Sequence, residues 1–266
     1  MEPRISLFGC DFDPVNLASA LELVDRWIAE RATLRQAVGV NMDHLLKCNE
    51  EPRFASLVNR CDLVLADGQP VVWLSRRYGE RPLPARVAVP DLMEAMFSFG
   101  DARGWRFYFL GAKDEQNAAA VENTRRRFPG MKIVGRHHGY YSVEDEPRIA
   151  ADIAASGADV LLIAITSPKK EDFVDRNREA LGPVFVMGVG GCFDILAGLH
   201  SRAPKLVREN GLEWAWRVAL EPRRFGKRIL HDLSFAKYML RAERAGRGGG
   251  RPEGASGGSA PREPRP

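Results

Sequence analysis

The sequence lacks the features that mark a secreted, zinc-stabilised or membrane-spanning protein. Only four cysteines occur among 266 residues, Cys10, Cys48, Cys61 and Cys192, and no two form a C-x-x-C pair. Such scattered cysteines argue against a disulfide framework and a structural zinc site, and they favour a reducing compartment. The longest apolar run, which begins at Val160, has strand length and is far too short to cross a bilayer. Because no apolar stretch follows basic residues at the N-terminus, we expect no signal peptide and predict a cytoplasmic protein.

The common nucleotide and nucleic-acid signatures are missing as well. The chain contains neither G-x-G-x-x-G nor G-x-x-x-x-G-K-[ST], so it lacks the dinucleotide fingerprint and the P-loop. Its formal net charge of +4 is too mild to indicate nucleic-acid binding by itself, and no recognised nucleic-acid module is present. The composition, 45% hydrophobic and 28% charged, fits one sizeable α/β domain with an appendage.

Strand patterns alternate with helix patterns as far as residue 187. The predicted strands cover 37–40, 63–66, 105–110, 132–135, 159–165 and 184–187. The first predicted helix starts at Asp13-Pro14, and further helical or amphipathic segments cover 44–59, 71–78, 91–101, 114–127, 146–156 and 169–180. This alternation predicts an α/β fold, with a doubly wound, mainly parallel sheet followed by a C-terminal helical appendage.

One edge of the predicted sheet collects polar residues and glycines. In open parallel sheets, ligands bind beyond the carboxyl ends of the strands. That rule brings five residues that are distant in sequence to the same edge, namely Asn41, Asp67, Gly111, Thr166 and Gly188. An aspartate before a glycine is also common in turns, so a turn role is the alternative for Asp67.

A glycine-rich turn follows the last predicted strand. Gly188, Gly190 and Gly191 would let the backbone approach a ligand where a Cβ would collide with it. Asp194 follows where its carboxylate could accept hydrogen bonds from ribose or sugar hydroxyls. The alternative is an ordinary turn between a strand and a helix.

The C-terminal part is basic and helical in pattern. From residue 223 to residue 247, eight Lys or Arg residues stand against two acids. An apolar stripe, with most cations off it, runs through Phe225, Ile229, Leu233, Ala236 and Leu240. We predict a doubly wound domain over 1–205, a basic amphipathic appendage over 206–244 and a disordered Gly/Pro/Arg tail over 245–266.

A cluster of cations at the start of this segment suggests phosphate binding. It contains Arg217, Arg224, Lys227 and Arg228. Guanidinium groups bind phosphate through two hydrogen bonds and stay charged, so they could neutralise a diphosphate. A solvated basic face is the alternative.

A series of short motifs runs from about Leu7 to Leu230. The motifs are Asn41-Met42-Asp43-His44, Ala66-Asp67-Gly68-Gln69-Pro70-Val71-Val72, Leu83-Pro84-Ala85-Arg86-Val87, Phe109-Leu110-Gly111, Ser167-Pro168-Lys169-Lys170-Glu171, Gly188-Val189-Gly190-Gly191-Cys192-Phe193-Asp194, Arg202-Ala203-Pro204, Gly211-Leu212-Glu213-Trp214 and Glu221-Pro222-Arg223-Arg224. In order and spacing this series resembles the WecG/TagA/CpsF glycosyltransferase family. No single motif is specific, but so many separate matches together are.

The resemblance implies an activity and its partners. It implies a metal-independent, inverting transfer of a sugar from a UDP donor to a polyprenyl-diphosphate-linked acceptor in cell-surface polysaccharide synthesis. The expected sugar is of the N-acetylmannosamine type or a uronic acid. The enzyme would need no cofactor and would be peripherally associated with the inner face of the cell membrane. A homo-oligomer fits this picture, whereas nucleic acid is not an expected partner.

The resemblance also implies roles for individual residues. Asp67 is the expected general base, and Asn41 is the expected sugar-positioning residue. Arg217 and Arg224 stand at the spacing of arginines with which the appendage completes the active site. The other expected substrate- or nucleotide-binding residues are Gly68, Gln69, Arg86, Gly111, Lys170, Gly188, Gly190, Gly191, Asp194 and Arg228.

Three positions depart from the family pattern. Gly39 stands where a threonine is common, Val89 where a glycine is usual, and Lys170 where a glutamine is usual. All three are expected near the donor site, so they bear on donor choice. A catalytically silent nucleotide-sugar binding protein at the membrane is therefore the alternative, and a membrane- or RNA-binding basic module is a third hypothesis.

Two further groups have structural alternatives. Asp11-Phe12-Asp13 matches the D-x-D pattern that holds a metal in other glycosyltransferases, but an aspartate before a helix can cap first-turn amides instead. We expect no metal site. His44, His137 and His138 have no carboxylate partner apparent in the sequence, and surface or packing roles are predicted for them.

Overall fold

A computed structural model of the protein describes residues 2–204, 206–207 and 216. The strands in this part are β1 (Ile5–Leu7), β2 (Cys10–Phe12), β3 (Arg35–Val40), β4 (Leu63–Ala66), β5 (Arg106–Gly111), β6 (Lys132–His137), β7 (Val160–Ala164) and β8 (Phe185–Gly188). The first two form an antiparallel hairpin. The other six form a parallel sheet in the order β4-β3-β8-β7-β5-β6, which confirms the predicted doubly wound α/β fold.

Helices cover both faces of the sheet. They are α1 (Leu17–Glu30), α2 (Met42–Glu50), α3 (Pro52–Asn59), α4 (Gln69–Tyr78), α5 (Val89–Arg103), α6 (Asp114–Arg127), α7 (Glu146–Ala155), α8 (Lys169–Leu181) and α9 (Cys192–Leu196). One face carries α1, α5, α6 and α9, and the other carries α2, α3, α4, α7 and α8. Successive strand residues point to opposite faces, so neighbours such as Ala37 and Val38 enter different apolar clusters.

The first helix does not start at Asp13-Pro14, so that prediction was wrong. It starts at Leu17, after a cap formed by Asn16. The Asn16 side chain accepts the N–H of Ser19 at 2.9 Å, and the Ser19 hydroxyl accepts the N–H of Asn16 at 3.0 Å. This reciprocal capping box satisfies two amide groups that the helix itself leaves unpaired.

The segment predicted as one helix over 44–59 is two helices. The first, α2, ends at Glu50, and the second, α3, begins at Pro52. Glu51 between them is extended, with φ of −119° and ψ of 96°. Proline has no N–H for an intrahelical bond, but it suits the first position of a new helix, where that N–H is not needed.

The carboxyl ends of β5 and β7 approach each other closely at Gly111. This residue has φ of +127°, and a Cβ built on it would lie 2.4 Å from the carbonyl oxygen of Ala164. The next N–H along the chain, that of Ala112, donates to the same oxygen at 3.0 Å. Glycine is therefore required at position 111 by the backbone itself, whatever its role toward a ligand.

Much of the predicted appendage lies outside the described residues. This applies to most of 206–244, to the tail over 245–266, and to Arg217, Arg224 and Arg228. Among the helices that are described, none combines the length and the apolar character needed to cross a bilayer.

Gly111→Ala is expected to lower the free energy of unfolding by about 2–4 kcal/mol, because it adds a steric clash to an unfavourable φ. The matched control is Gly104→Ala, at a left-handed position with φ of 70° where the added Cβ meets only the end of the Lys132 side chain at 3.4 Å. The control should lose about 1–2 kcal/mol from backbone strain alone. Urea unfolding of both variants measures the difference, and equal losses would contradict the close contact at Gly111.

Candidate active site

Asp67 lies directly after β4, at the carboxyl edge of the sheet. Its N–H donates to the carbonyl of Val40 at 3.0 Å, so pairing with β3 continues one residue beyond the strand. Its Oδ1 accepts the N–H of Val89, the first residue of α5, at 3.2 Å. The carboxylate thereby pairs one of the N-terminal N–H groups that a helix leaves without an intrahelical partner. Asp67 is only partly buried, so a substrate can reach it.

Asn41 lies at the neighbouring strand end. Because Val40 pairs with Ala66, Asn41 and Asp67 leave adjacent strands at the same level. Asn41 caps α2, since its Oδ1 accepts the N–H of His44 at 3.1 Å. Within the described part of the chain its amide nitrogen makes no hydrogen bond. The cap uses only the amide oxygen, so the nitrogen can still donate to a ligand.

His44 belongs to a polar network below this edge. Its Nδ1 lies 3.0 Å from the carbonyl oxygen of Gly39, and its Nε2 lies 3.1 Å from the hydroxyl of Ser167. That hydroxyl lies 2.9 Å from Oε1 of Glu171 and also contacts the ammonium group of Lys170. The network therefore joins β3, α2 and the start of α8.

The protonation of His44 follows from these contacts. Burial, and then the positive charge of Lys170, lower the pKa of His44 from 6.5 to about 4, so the ring is neutral near pH 7. A carbonyl oxygen can only accept, so Nδ1 carries the proton toward Gly39 and Nε2 is the acceptor. The single hydrogen of Ser167 can then serve either Nε2 or Glu171, but not both together.

Lys170 and Glu171 form a buried ion pair. Lys170 is 8% exposed and Glu171 is 2% exposed, and their charged groups are 2.6 Å apart. Breaking such a pair by removing one partner leaves an uncompensated buried charge, which is strongly unfavourable. Lys170 thus has a structural partner in addition to the binding role predicted for it.

The three glycines after β8 occupy different environments. At Gly188 an added Cβ would lie 2.5 Å from Cε of Lys170, so the lysine stem fills this space. At Gly190, which has φ of +50°, no heavy atom lies within 4 Å of an added Cβ among the contacts described. At Gly191 the nearest contact is Oδ2 of Asp194, at 3.9 Å. As far as the described residues go, the space beside Gly190 and Gly191 is therefore open, and Asp194 borders it.

Arg86 lies in a second charged cluster, at the start of α5. Asp91 accepts from Arg86 at 3.2 Å through one oxygen and from Arg202 at 2.7 Å through the other. Glu94 lies 3.5 Å from Arg202. Two guanidinium groups thus bind one carboxylate of α5, the helix whose first N–H contacts Asp67.

Gly68 and Gln69 connect Asp67 to α4. Gly68 has φ of +159° and precedes the helix, whose first residue is Gln69. Both residues are partly buried and directly follow Asp67, so they border the edge on which it lies.

Thr166 is exposed at the end of β7, and its carbonyl accepts the N–H of Lys170 at 3.3 Å.

The Asp11-Phe12-Asp13 segment is hydrogen-bonded to β4 through Asp13 and Val64. Asp13 is buried and does not cap a helix, which corrects the capping alternative. One oxygen accepts from Nε of Arg4 at 3.0 Å, and the other accepts the N–H of Val64 at 2.7 Å. Among the described residues, no group of three or more His, Cys, Asp or Glu side chains is arranged to hold a metal ion.

The structure places the five residues predicted for the carboxyl edge of the sheet at or just after the ends of their strands, namely Asn41, Asp67, Gly111, Thr166 and Gly188. The predicted catalytic arginines Arg217 and Arg224, together with Arg228, lie outside the described residues. His44 was predicted as a surface or packing residue, and its place in the network was missed. Its contact with Ser167 spans 123 residues, and only the strand order could have revealed it.

Comparison with known proteins places this geometry in a family. The sequence profile described as "Glycosyl transferase WecG/TagA/CpsF family" matches residues 5–249. A relative from Bacillus spizizenii (strain ATCC 23059 / NRRL B-14472 / W23) is named N-acetylglucosaminyldiphosphoundecaprenol N-acetyl-beta-D-mannosaminyltransferase. It is 33% identical over 196 residues, which cover 74% of this chain and 75% of the relative. On this evidence, the chain belongs to the WecG/TagA/CpsF family of glycosyltransferases.

Proposed function

We propose that the protein is a metal-independent, inverting glycosyltransferase. It transfers an N-acetylmannosamine-type sugar from a UDP donor to an N-acetylglucosamine carried on a polyprenyl diphosphate, in the synthesis of a cell-surface polysaccharide. The observation that carries the proposal is the Asp67 carboxylate, held by the N–H of Val89 at the carboxyl edge of the sheet in a chain of this family. The activity named for the bacterial relative supports the choice of sugar and acceptor.

Asp67 acts as the general base in this proposal. The acceptor hydroxyl attacks the anomeric carbon of the donor sugar from the face opposite the diphosphate, which inverts the configuration. As the new carbon–oxygen bond forms, the hydroxyl proton passes to Asp67, and the bond to the diphosphate breaks to release UDP. A positioned base typically contributes 10²–10⁴-fold to such a step.

Asn41 positions the donor sugar. Its Oδ1 is fixed by the helix cap, so the direction of its amide nitrogen is also fixed. A side chain held in one orientation loses little conformational freedom when it binds a sugar hydroxyl or carbonyl. Gly190, Gly191 and Asp194 offer open space and a carboxylate for the ribose on the adjacent strand end.

Cations neutralise the diphosphate as its bond to the sugar breaks. We assign this role to Arg86 and to Arg217, Arg224 and Arg228, of which the last three lie outside the described residues. A single positioned electrostatic donor in a dry site contributes about 2.7–4 kcal/mol to transition-state stabilisation. The amphipathic stripe of the same segment would hold the enzyme at the inner membrane face, where a lipid-linked acceptor is found.

Asp67→Asn should reduce kcat by at least about a hundredfold while UDP binding stays nearly unchanged, because asparagine keeps the shape but cannot take the proton. The assay measures UDP release with UDP-N-acetylmannosamine and a short-chain polyprenyl-diphosphate N-acetylglucosamine. Asp152→Asn, on the exposed side of α7, is the control and should keep wild-type activity. A wild-type protein that binds UDP without releasing it from the donor would favour the silent binding protein instead.

Transfer should survive treatment with EDTA, because arginines rather than a metal are assigned to the diphosphate. Within Asp11-Phe12-Asp13, both oxygens of Asp13 already serve Arg4 and Val64. The same UDP-release assay with and without EDTA checks this expectation. Activity that is lost with EDTA and restored by added Mn²⁺ or Mg²⁺ would contradict it.

Lowering the pH from 7 to 5 should destabilise the wild type more than the His44→Gln variant. The pKa of His44 is about 4 in the folded protein and 6.5 in its ordinary state. The unfolded chain therefore takes up the proton first, so the stability contributed by neutral His44 is complete above pH 6.5 and declines toward pH 4. At about 1.4 kcal/mol per pKa unit, the extra loss at pH 5 is about 2 kcal/mol. Urea unfolding at both pH values tests this, and identical pH dependence in the two proteins would contradict the burial of His44.

A further inference from the structure

Gly39 lies in β3 where there is no room for a side chain. It pairs with Leu65 of β4 in an ordinary strand conformation, so no unusual backbone angle calls for glycine. A Cβ built on Gly39 would lie 2.3 Å from Cγ2 of Val89 and 3.0 Å from Cβ of Asp67. The absence of a side chain at position 39 is thus a matter of space, and Val89 occupies that space.

Val89 cannot easily give way. It is 5% exposed, and its β-branched side chain is stiff at χ1. The following residue, Pro90, further restricts the backbone of Val89. A side chain at position 39 would therefore push the whole start of α5 instead of rotating one methyl group.

The same residue holds Asp67 through its backbone. The N–H of Val89 donates to Oδ1 of Asp67 at 3.2 Å, and Oδ2 of the same carboxylate lies 3.3 Å from the Cβ that Gly39 lacks. Ala88, which precedes the helix, has no side-chain oxygen to cap it, so Asp67 caps α5 from the end of β4. Moving the start of α5 therefore moves the hydrogen bond that fixes the carboxylate.

We propose that Gly39 and Val89 are a matched pair of positioning residues for Asp67. The missing side chain at 39 admits the isopropyl group of 89, and this contact seats the first turn of α5 against β3 so that its N–H meets the carboxylate. The catalytic half of this inference rests on the proposed role of Asp67 as the base. The packing half does not depend on it.

The test is a double-mutant cycle of Gly39→Ala, Val89→Ala and the double variant. Gly39→Ala should lower Tm by roughly 5–10 °C. It should also lower kcat by roughly tenfold to a hundredfold and shift the acid limb of the kcat/KM pH profile, because a small displacement of a reacting group is costly. Val89→Ala removes Cγ2 and should have smaller effects. The double variant should regain most of the Tm, the kcat and the pH profile lost in Gly39→Ala.

Val160→Ala, in the buried start of β7, is the control for lost stability alone. It should lower Tm without changing kcat or the pH profile at temperatures where it is folded. The proposal would be overturned if Gly39→Ala kept the wild-type Tm and kcat. It would also be overturned if the double variant regained neither Tm nor kcat relative to Gly39→Ala. If the wild type transfers no sugar, the proposed function fails. The pairing of Gly39 with Val89 can still be decided by the Tm values of the double-mutant cycle and by the Asp67–Val89 distance in crystals of the variants.

Discussion

The hydrogen bond between the N–H of Val89 and the carboxylate of Asp67 joins two parts of the chain that the sheet alone would leave separate. One end of the bond is a strand terminus, and the other is the first residue of α5, a helix of 15 residues. The strand fixes the backbone of Asp67, whereas the helix fixes its carboxylate. The position of the candidate base is therefore set by how α5 packs on the sheet, and the apolar residues of that helix contribute to it at a distance.

The polar network around His44 also reaches Gly39. The carbonyl of Gly39 faces the ring of His44, while its Cα faces Val89 and Asp67. On the histidine side, burial and then the charge of Lys170 lower the pKa of His44, and Lys170 is itself paired with the buried Glu171. A single residue of β3 thus separates the carboxylate of Asp67, the proposed base, from a network that contains a buried ion pair.

The alternation of strands and helices and the edge that carries the candidate site could be predicted from the sequence, because hydrophobic periodicity is local and parallel strands end on a common edge. The contact between His44 and Ser167 could not, since it depends on β3, β8 and β7 being neighbours in the sheet. Gly39 and Val89 were visible only as separate departures from the family pattern. Their relation became clear once the distance between the two positions was known, because one side chain takes the place of the other.

The packing of Lys170 over Gly188 constrains the order in which substitutions can accumulate in this lineage. The lysine stem occupies the place of a side chain at 188, so residue 170 would have to become shorter before 188 could become larger. Replacing either Lys170 or Glu171 alone would leave the other charge unpaired in the interior, so these two positions are expected to change together. A larger residue at 188 therefore depends on an earlier joint change at 170 and 171, and descendants of this chain that retain the ion pair should also retain Gly188.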